Sequence, residues 1–401
     1  ELDDTGNGSI FRLNLPAGDT ARTAWVDDVL FLPTSYPSSI SSPNEVLNKR
    51  MPSRVAPKEP QFMYLSIEID TADAENTKLR EMFAKEINYL ETLEGPNGRK
   101  YSSDGFAVQK RDRTVYIFGT EDKGTLNGVY DFIEYNADVL WYRADQMAYQ
   151  ENENIPLKKY NYYEKSPFSV RGWNALGSGD TGLQNVDEDH DTMLSRNKMN
   201  VMYIPCYPGT ADRVVESVSV LESVGLESFM LGHNIGTWIL KSPSYDPENL
   251  VYWNQDYDGT YMTSQELAGV GYAQINMWDP NGKVSDCMVD SICKFLDEAA
   301  ARGRVLDQVG IGMNDTEKMP QLGYDDKPFE YAPGKFVEPG TDTYKATVAF
   351  TFFNTVAEKL KDRGYDIQVN VFAYLFLTEP PVCEIADNVT VLFAPIMADF
   401  R

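Results

Sequence analysis

The run Val309-Gly310-Ile311-Gly312-Met313-Asn314-Asp315-Thr316-Glu317 decides how the chain is read. Apolar residues rise through two glycines into adjacent polar and acidic ones, which predicts a buried strand whose carboxyl end opens into a loop. Around it, strand-like and helix-like segments alternate, the pattern of a parallel sheet. In a parallel α/β barrel the carboxyl ends of the strands carry the chemistry. Asp315 is therefore the first candidate acid, and Glu317, two residues on, is the competing one. Asn and Asp also turn chains and cap helices routinely, so a structural reading of Asn314-Asp315 stands beside the catalytic one. Glu317 likewise has a plain reading as a carboxylate in the first turn of a helix.

The alternation extends on both sides of that run. Ser169 to Asn174, Asn200 to Pro205, Leu226 to Asn234, Gln308 to Asn314, Asp366 to Tyr374 and Val389 to Pro395 read as six strands. Ala211 to Val224, Val284 to Arg302 and Asp342 to Arg363 carry helical spacing between them. The expected fold class is α/β, a (β/α)8 TIM barrel over residues 164–401 with about six of its strands present. An open barrel exposes apolar edges, so the rest of that domain is expected beyond Arg401.

Residues 59–163 form a smaller α/β module by the same reading. Phe62 to Ile69 alternates like a strand, and Asn76 to Leu93 places Leu79, Met82, Phe83, Ile87 and Leu90 at helical spacing before Gly95-Pro96-Asn97-Gly98 stops it. Gly105 to Gly119 reads as two strands around a charged turn, and Gly124 to Glu134 as an amphipathic helix. No Gly-Lys-Ser/Thr follows these glycines, so this is not a phosphate loop. Residues 1–58 are rich in Pro, Ser and Thr, with one strand-like piece from Val26 to Leu32.

Composition narrows the function. The 401 residues include 42% apolar and 12% aromatic residues, with 24 Tyr and 6 Trp, as in a globular enzyme with a large core. Sixty-one Asp+Glu against 36 Lys+Arg give a net charge of −25. Such a surface repels phosphate backbones and anionic lipid, which excludes nucleic acid as a partner. No apolar run reaches the roughly 18 residues of a membrane helix, so no membrane insertion is expected. A lipid anchor upstream of the sequence is left open. Cys206, Cys287, Cys293 and Cys383 lack CxxC spacing, and His190 and His233 are the only histidines. Neither a zinc site nor a His-rich metal centre follows from that set, and no cofactor is expected.

Five pieces in order, the run Asp104 to Gly119, Gly128-Val129-Tyr130-Asp131-Phe132-Ile133-Glu134, Val139-Leu140-Trp141-Tyr142, Pro156-Leu157 and Ser166-Pro167-Phe168-Ser169-Val170-Arg171-Gly172, resemble the non-catalytic α/β domain that precedes the barrel in β-hexosaminidases and α-glucuronidases. The second half resembles a bacterial domain associated with glycoside hydrolase family 163, the endo-β-N-acetylglucosaminidases. Gly232-His233-Asn234, Ile311 to Asp315, Phe353-Asn354-Thr355-Val356-Ala357 and Phe372-Ala373-Tyr374 followed by Pro380-Pro381 carry that likeness.

The resemblance implies roles. Laid over the hexosaminidase acid pair, Asn314 becomes the partner of the substrate's 2-acetamido group and Asp315 the general acid. Arg171 stands where those enzymes carry an arginine that binds sugar hydroxyls, and His233 where a histidine orders the acid; a salt bridge and a structural histidine are the alternatives. Trp173, Asn174, Asn234, Trp238 and Tyr374 lie at or just past strand ends and are expected to line the site, although packing is open to each. The activity implied is release of N-glycans by cleavage within their chitobiose core, with an N-glycan or glycoprotein as partner and an extracytoplasmic (secreted, cell-surface or periplasmic) location. A non-catalytic glycan-binding surface protein and an exo-acting β-hexosaminidase or α-glucuronidase are the competing functions.

Overall fold

A computed structural model of the chain describes residues 65–95, 98, 100–143, 146–149, 155–173, 188–262 and 274–394. The strand expected from Val26 to Leu32, and Asn174, lie outside them. The chain divides into two compact units, Glu1–Trp173 with Asp187–Val201 and Ser223–Leu226, and Asn174–Val186 with Met202–Glu222 and Glu227–Arg401.

In the first unit, alternation along the strands builds the core. Strands β1 (Ser66–Ile69), β2 (Phe106–Arg111) and β3 (Thr114–Gly119) form a sheet, with β1 parallel to β3 and β2 antiparallel to it. Successive side chains point to opposite faces. Phe106, Val108, Val115 and Ile117 therefore pack with Val129, Phe132 and Ile133 of the helix Asp122–Asn136, while Ala107, Tyr116 and Phe118 pack with Leu79, Phe83, Ile87 and Leu90 on the other side. The single helix expected from Asn76 to Leu93 is two, Thr77–Met82 and Ala84–Glu91. Phe83 breaks it, with φ −127° and ψ 38°, and its ring stacks 4.9 Å from that of Phe118. Burying that ring against the sheet wins over helical continuity. A hairpin of β4 (Leu140–Arg143) and β5 (Gln146–Ala148) follows, then β6 (Tyr162–Glu164) on the free edge of β2, then β7 (Gly172–Trp173).

The second unit is the alternating one. β8 (Val201–Ile204) neighbours β9 (Glu227–Met230), with the helix Ala211–Ser223 between them in sequence. β10 (Gln308–Ile311) follows the helix Lys283–Ala300. An antiparallel hairpin, β11 (Phe329–Ala332) with β12 (Lys335–Val337), and the helix Tyr344–Asp362 lead to β13 (Gln368–Ala373) and β14 (Val389–Phe393). β10, β13 and β14 are parallel, with Val309 opposite Val369 and Val371 opposite Val391. Val309, Ile311, Val369 and Val371 are fully buried, as continuous apolar strands of a covered parallel sheet should be. The architecture is mixed α/β, and among the described residues the strands do not close into a barrel.

The seam between β9 and β10 has an unusual construction. His233 and Gly312 form a parallel bridge, and a Cβ on Gly312 would stand 1.6 Å from the Gly232 carbonyl oxygen. Amide side chains supply other links. The Met230 N–H donates to Gln308 Oε1 (2.9 Å), Gln308 Nε2 donates to the Ser228 carbonyl (2.8 Å), and Asn370 Nδ2 donates to the Met230 carbonyl (3.0 Å).

Candidate functional site

Just past the carboxyl ends of β9, β10 and β13, three side chains converge. The Tyr374 hydroxyl donates to Asp315 Oδ1 at 2.6 Å. His233 Nδ1 lies 2.7 Å from the Met313 carbonyl; a carbonyl only accepts, so that nitrogen is the donor. The imidazole stacks on Phe372 at 5.5 Å and lies tilted against Tyr374 at 5.9 Å. Asp315 and His233 are exposed while Tyr374 is buried, so the carboxylate and imidazole face solvent over an aromatic floor. Burial, and then the hydrogen bond to Asp315 and its charge, push the Tyr374 phenol well above its ordinary range. It stays a protonated donor wherever the protein is folded near neutral pH.

The loop that carries the acid is held from beneath. Gln274 is fully buried, and its amide grips Asn314 from both sides. Oε1 accepts the Asn314 N–H at 2.8 Å, and Nε2 donates to the carbonyls of Asn314 (2.8 Å) and Thr316 (3.1 Å). Sequence reading missed Gln274. Its signal was an amide in the apolar run Gln274-Ile275-Asn276-Met277-Trp278, where a buried polar group has to be satisfied by something.

The remaining expected residues divide by position. Asn314 is buried next to the acid. Glu317 is exposed, and its carbonyl receives the Lys345 amine at 3.4 Å. Asn234 is fully buried and structural: Nδ2 donates to the carbonyls of Cys206 (2.7 Å) and Gly310 (2.9 Å), and Oδ1 accepts the Gly312 N–H (2.8 Å). Trp238 is a core residue too, with no exposed surface and its indole N–H on the Gly310 carbonyl at 3.1 Å. Its place near a strand end brought it into the interior rather than into the cleft.

Arg171 belongs to the first unit and forms the salt bridge there. Its guanidinium pairs with the buried Asp104 carboxylate and donates to Ser102 Oγ (3.0 Å) and to the carbonyls of Phe168 (2.9 Å) and Lys198 (2.8 Å). A fork so engaged is a local lock. Trp173 ends β7, and Asn174 lies outside the described residues.

All four cysteines are free, and burial pushes the Cys206 thiol up to about 12. Among the described residues no group of three His, Cys, Asp or Glu side chains could hold a metal ion, and no helix is long and apolar enough to cross a membrane.

No protein-family model matches the chain, and no curated protein matches its sequence. Solved structures do. The chain is similar to a β-N-acetylhexosaminidase from Bacteroides fragilis at 11% identity, over 82% of this chain and 66% of that one, with a TM-score of 0.43. It is similar to a glycoside hydrolase family 20 β-N-acetylglucosaminidase at 11% identity, over 78% and 64%, with a TM-score of 0.37. A family 89 glycoside hydrolase from Clostridium perfringens matches at 10% identity, over 79% and 40%, with a TM-score of 0.40. The chain thus spans between 40% and 66% of the length of these structures.

Proposed function

We propose that the chain is the catalytic part of a glycoside hydrolase, an endo-β-N-acetylglucosaminidase that cuts the chitobiose core of N-glycans with retention. The observation that carries the reading is the convergence of Asp315, Tyr374 and His233 at the carboxyl ends of neighbouring strands. In parallel α/β sheets that edge is where ligands bind. The family resemblance of the same segments adds to it, and with it the (β/α)8 barrel as the full form of the second unit.

In this mechanism the substrate's own 2-acetamido oxygen attacks the anomeric carbon while the leaving oxygen takes a proton. Asp315 supplies that proton. Tyr374 holds Oδ1, which fixes the carboxyl plane and directs Oδ2 to the glycosidic oxygen. The oxazolinium that forms is opened by water, whose proton returns to Asp315. Asn314 is the partner of the acetamido group, and the Gln274 grip keeps the two adjacent residues in register. Substrate is a glycoprotein or free N-glycan, and the protein acts outside the cytoplasm.

Incubating a glycoprotein with the wild-type chain and with Asp315→Asn, and weighing the product, tests this. Loss of glycan mass with the first and not the second is expected; no mass loss with either sinks the hydrolase reading. Turnover of simple aryl glycosides would move the assignment to an exo-acting hexosaminidase or glucuronidase. A second reading, a glycan-binding protein without turnover, is favoured by the burial of Asn314 where a second acid is expected. Tight glycan binding by the wild-type chain with no cleavage decides for it.

A further inference from the structure

On the connection between the helices Ile235–Leu240 and Lys283–Ala300, an exposed aromatic ring is tied to the segment that follows Asp315. Tyr257 is 67% exposed, yet its hydroxyl donates to Asp325 Oδ2 at 2.7 Å. That carboxylate oxygen also accepts the Gln321 N–H at 3.0 Å. Gln321 is itself buried, and its Oε1 accepts from Asn254 Nδ2 (3.0 Å) and from the Gln255 N–H (3.3 Å), while the Leu322 N–H donates to the Gln255 carbonyl (3.0 Å). Residues 254–257 and 321–325 are thus stitched into one platform, which presents Tyr257 from one segment and the exposed Leu322 and Tyr324 from the other.

Free surface tyrosines sample rotamers and lose that freedom when a ligand orders them. The bond from the Tyr257 hydroxyl to Asp325 restricts that freedom beforehand. A large, flat, fixed apolar face with a polar tip suits the C–H face of a pyranose ring. The charges around it select further, because Asp325, Asp256 and Asp326 all act on the Tyr257 hydroxyl. Carboxylates accept hydrogen bonds from sugar hydroxyls and repel anionic groups.

We infer that Tyr257 is the stacking platform of a binding subsite for an uncharged hexopyranose unit of the glycan, held rigid by Asp325 on the connection that follows the candidate acid. This rests on the carbohydrate reading above.

The test uses the Asp315→Asn chain, titrated calorimetrically with a neutral mannose-type N-glycan oligosaccharide and with a sialylated one. Adding Tyr257→Ala should weaken the neutral ligand about 3- to 10-fold, the share of one aromatic face. Tyr257→Phe, which keeps the ring and frees it, should lose less, and the sialylated ligand should bind more weakly than the neutral one. Unchanged affinity in Tyr257→Ala overturns the subsite, and so does a preference for the sialylated ligand. The wild-type chain on a glycoprotein separates the two claims: turnover with an indifferent Tyr257 keeps the hydrolase and removes the platform, whereas Tyr257-dependent binding without turnover keeps the platform and removes the hydrolase.

Discussion

Tyr374 and Asp315, 59 residues apart in sequence, are joined by a 2.6 Å hydrogen bond across the ends of two strands paired in register, β10 and β13. The phenol is buried and the carboxylate exposed, so the bond fixes a solvent-facing acid to a rigid base. That pairing makes Asp315, rather than Glu317, the carboxyl with a defined orientation.

Asp315→Asn should keep the fold within about ±0.5 kcal/mol, because the side chain is exposed and its volume is conserved. The rate on an intact glycoprotein should fall about 10²- to 10⁴-fold, the usual share of general acid catalysis. The deficit should shrink on a substrate whose leaving group needs no proton. Glu317→Gln should be close to wild type; a dead Glu317→Gln with an active Asp315→Asn reassigns the acid.

Gln274→Glu is nearly isosteric, yet it removes the only donor on that side chain. A carboxylate still accepts the Asn314 N–H but faces the carbonyls of Asn314 and Thr316 with no proton to give. A loss of about 1–3 kcal/mol in urea unfolding is expected, together with a fall in kcat as the acid loop shifts. Wild-type stability in this variant would show that the clamp contributes nothing.

Gly312→Ala should fail to give soluble, cooperatively folded protein, since its Cβ would overlap the Gly232 carbonyl oxygen and a backbone atom cannot swing aside. The expected destabilisation exceeds about 4 kcal/mol, and circular dichroism with thermal melting reads it. A melt like that of the parent would mean the strands are further apart than 1.6 Å of clearance implies.

Lys123, in the first unit, donates to Ser195 Oγ at 2.9 Å, and burial pulls its amine down to about 7, with Asp104 opposing and Arg171 adding to the shift. An unfolded lysine titrates near 10.4, so between about pH 7 and pH 10 the unfolded chain binds the extra proton. Stability therefore rises with pH across that window, by at most about 1.4 kcal/mol per pH unit, and below it the full cost of charging the buried amine is present. Lys123→Met should flatten the slope of urea midpoints between about pH 7 and about pH 9. An unaltered slope contradicts the assignment to Lys123.

Long amphipathic helices were legible to within two residues, as in Ala211–Ser223, Lys283–Ala300 and Tyr344–Asp362, because eleven or more residues of periodicity outweigh any single contact. The position of Asp315 past the end of a buried strand was legible for a local reason too, as the first carboxylate after an apolar run. Direction was not. A residue after a strand can face the cleft or the interior, and Trp238 and Asn234 went inward because Gly310 and Gly312 leave backbone groups there for their N–H and C=O groups to meet. Tyr374 was legible as a residue just past a strand end but not as the partner of Asp315, since that bond depends on the register of β10 with β13. Gln274, 40 residues from Asn314, left no periodic trace. Phe83 shows the opposite case, a helix pattern broken by the reward of one ring packed on a sheet.

Main-chain ladders between strands are indifferent to spelling, and almost any substitution leaves them standing. The β9–β10 seam is different, because Gln308, Asn370 and Asn234 take over part of the ladder with their carboxamides. The identity of these three side chains therefore matters to this joint as it does not along an ordinary ladder. Conversion of one of these amides to an acid by mutation would place a charge inside the sheet, next to the strand ends from which His233 and Asp315 project.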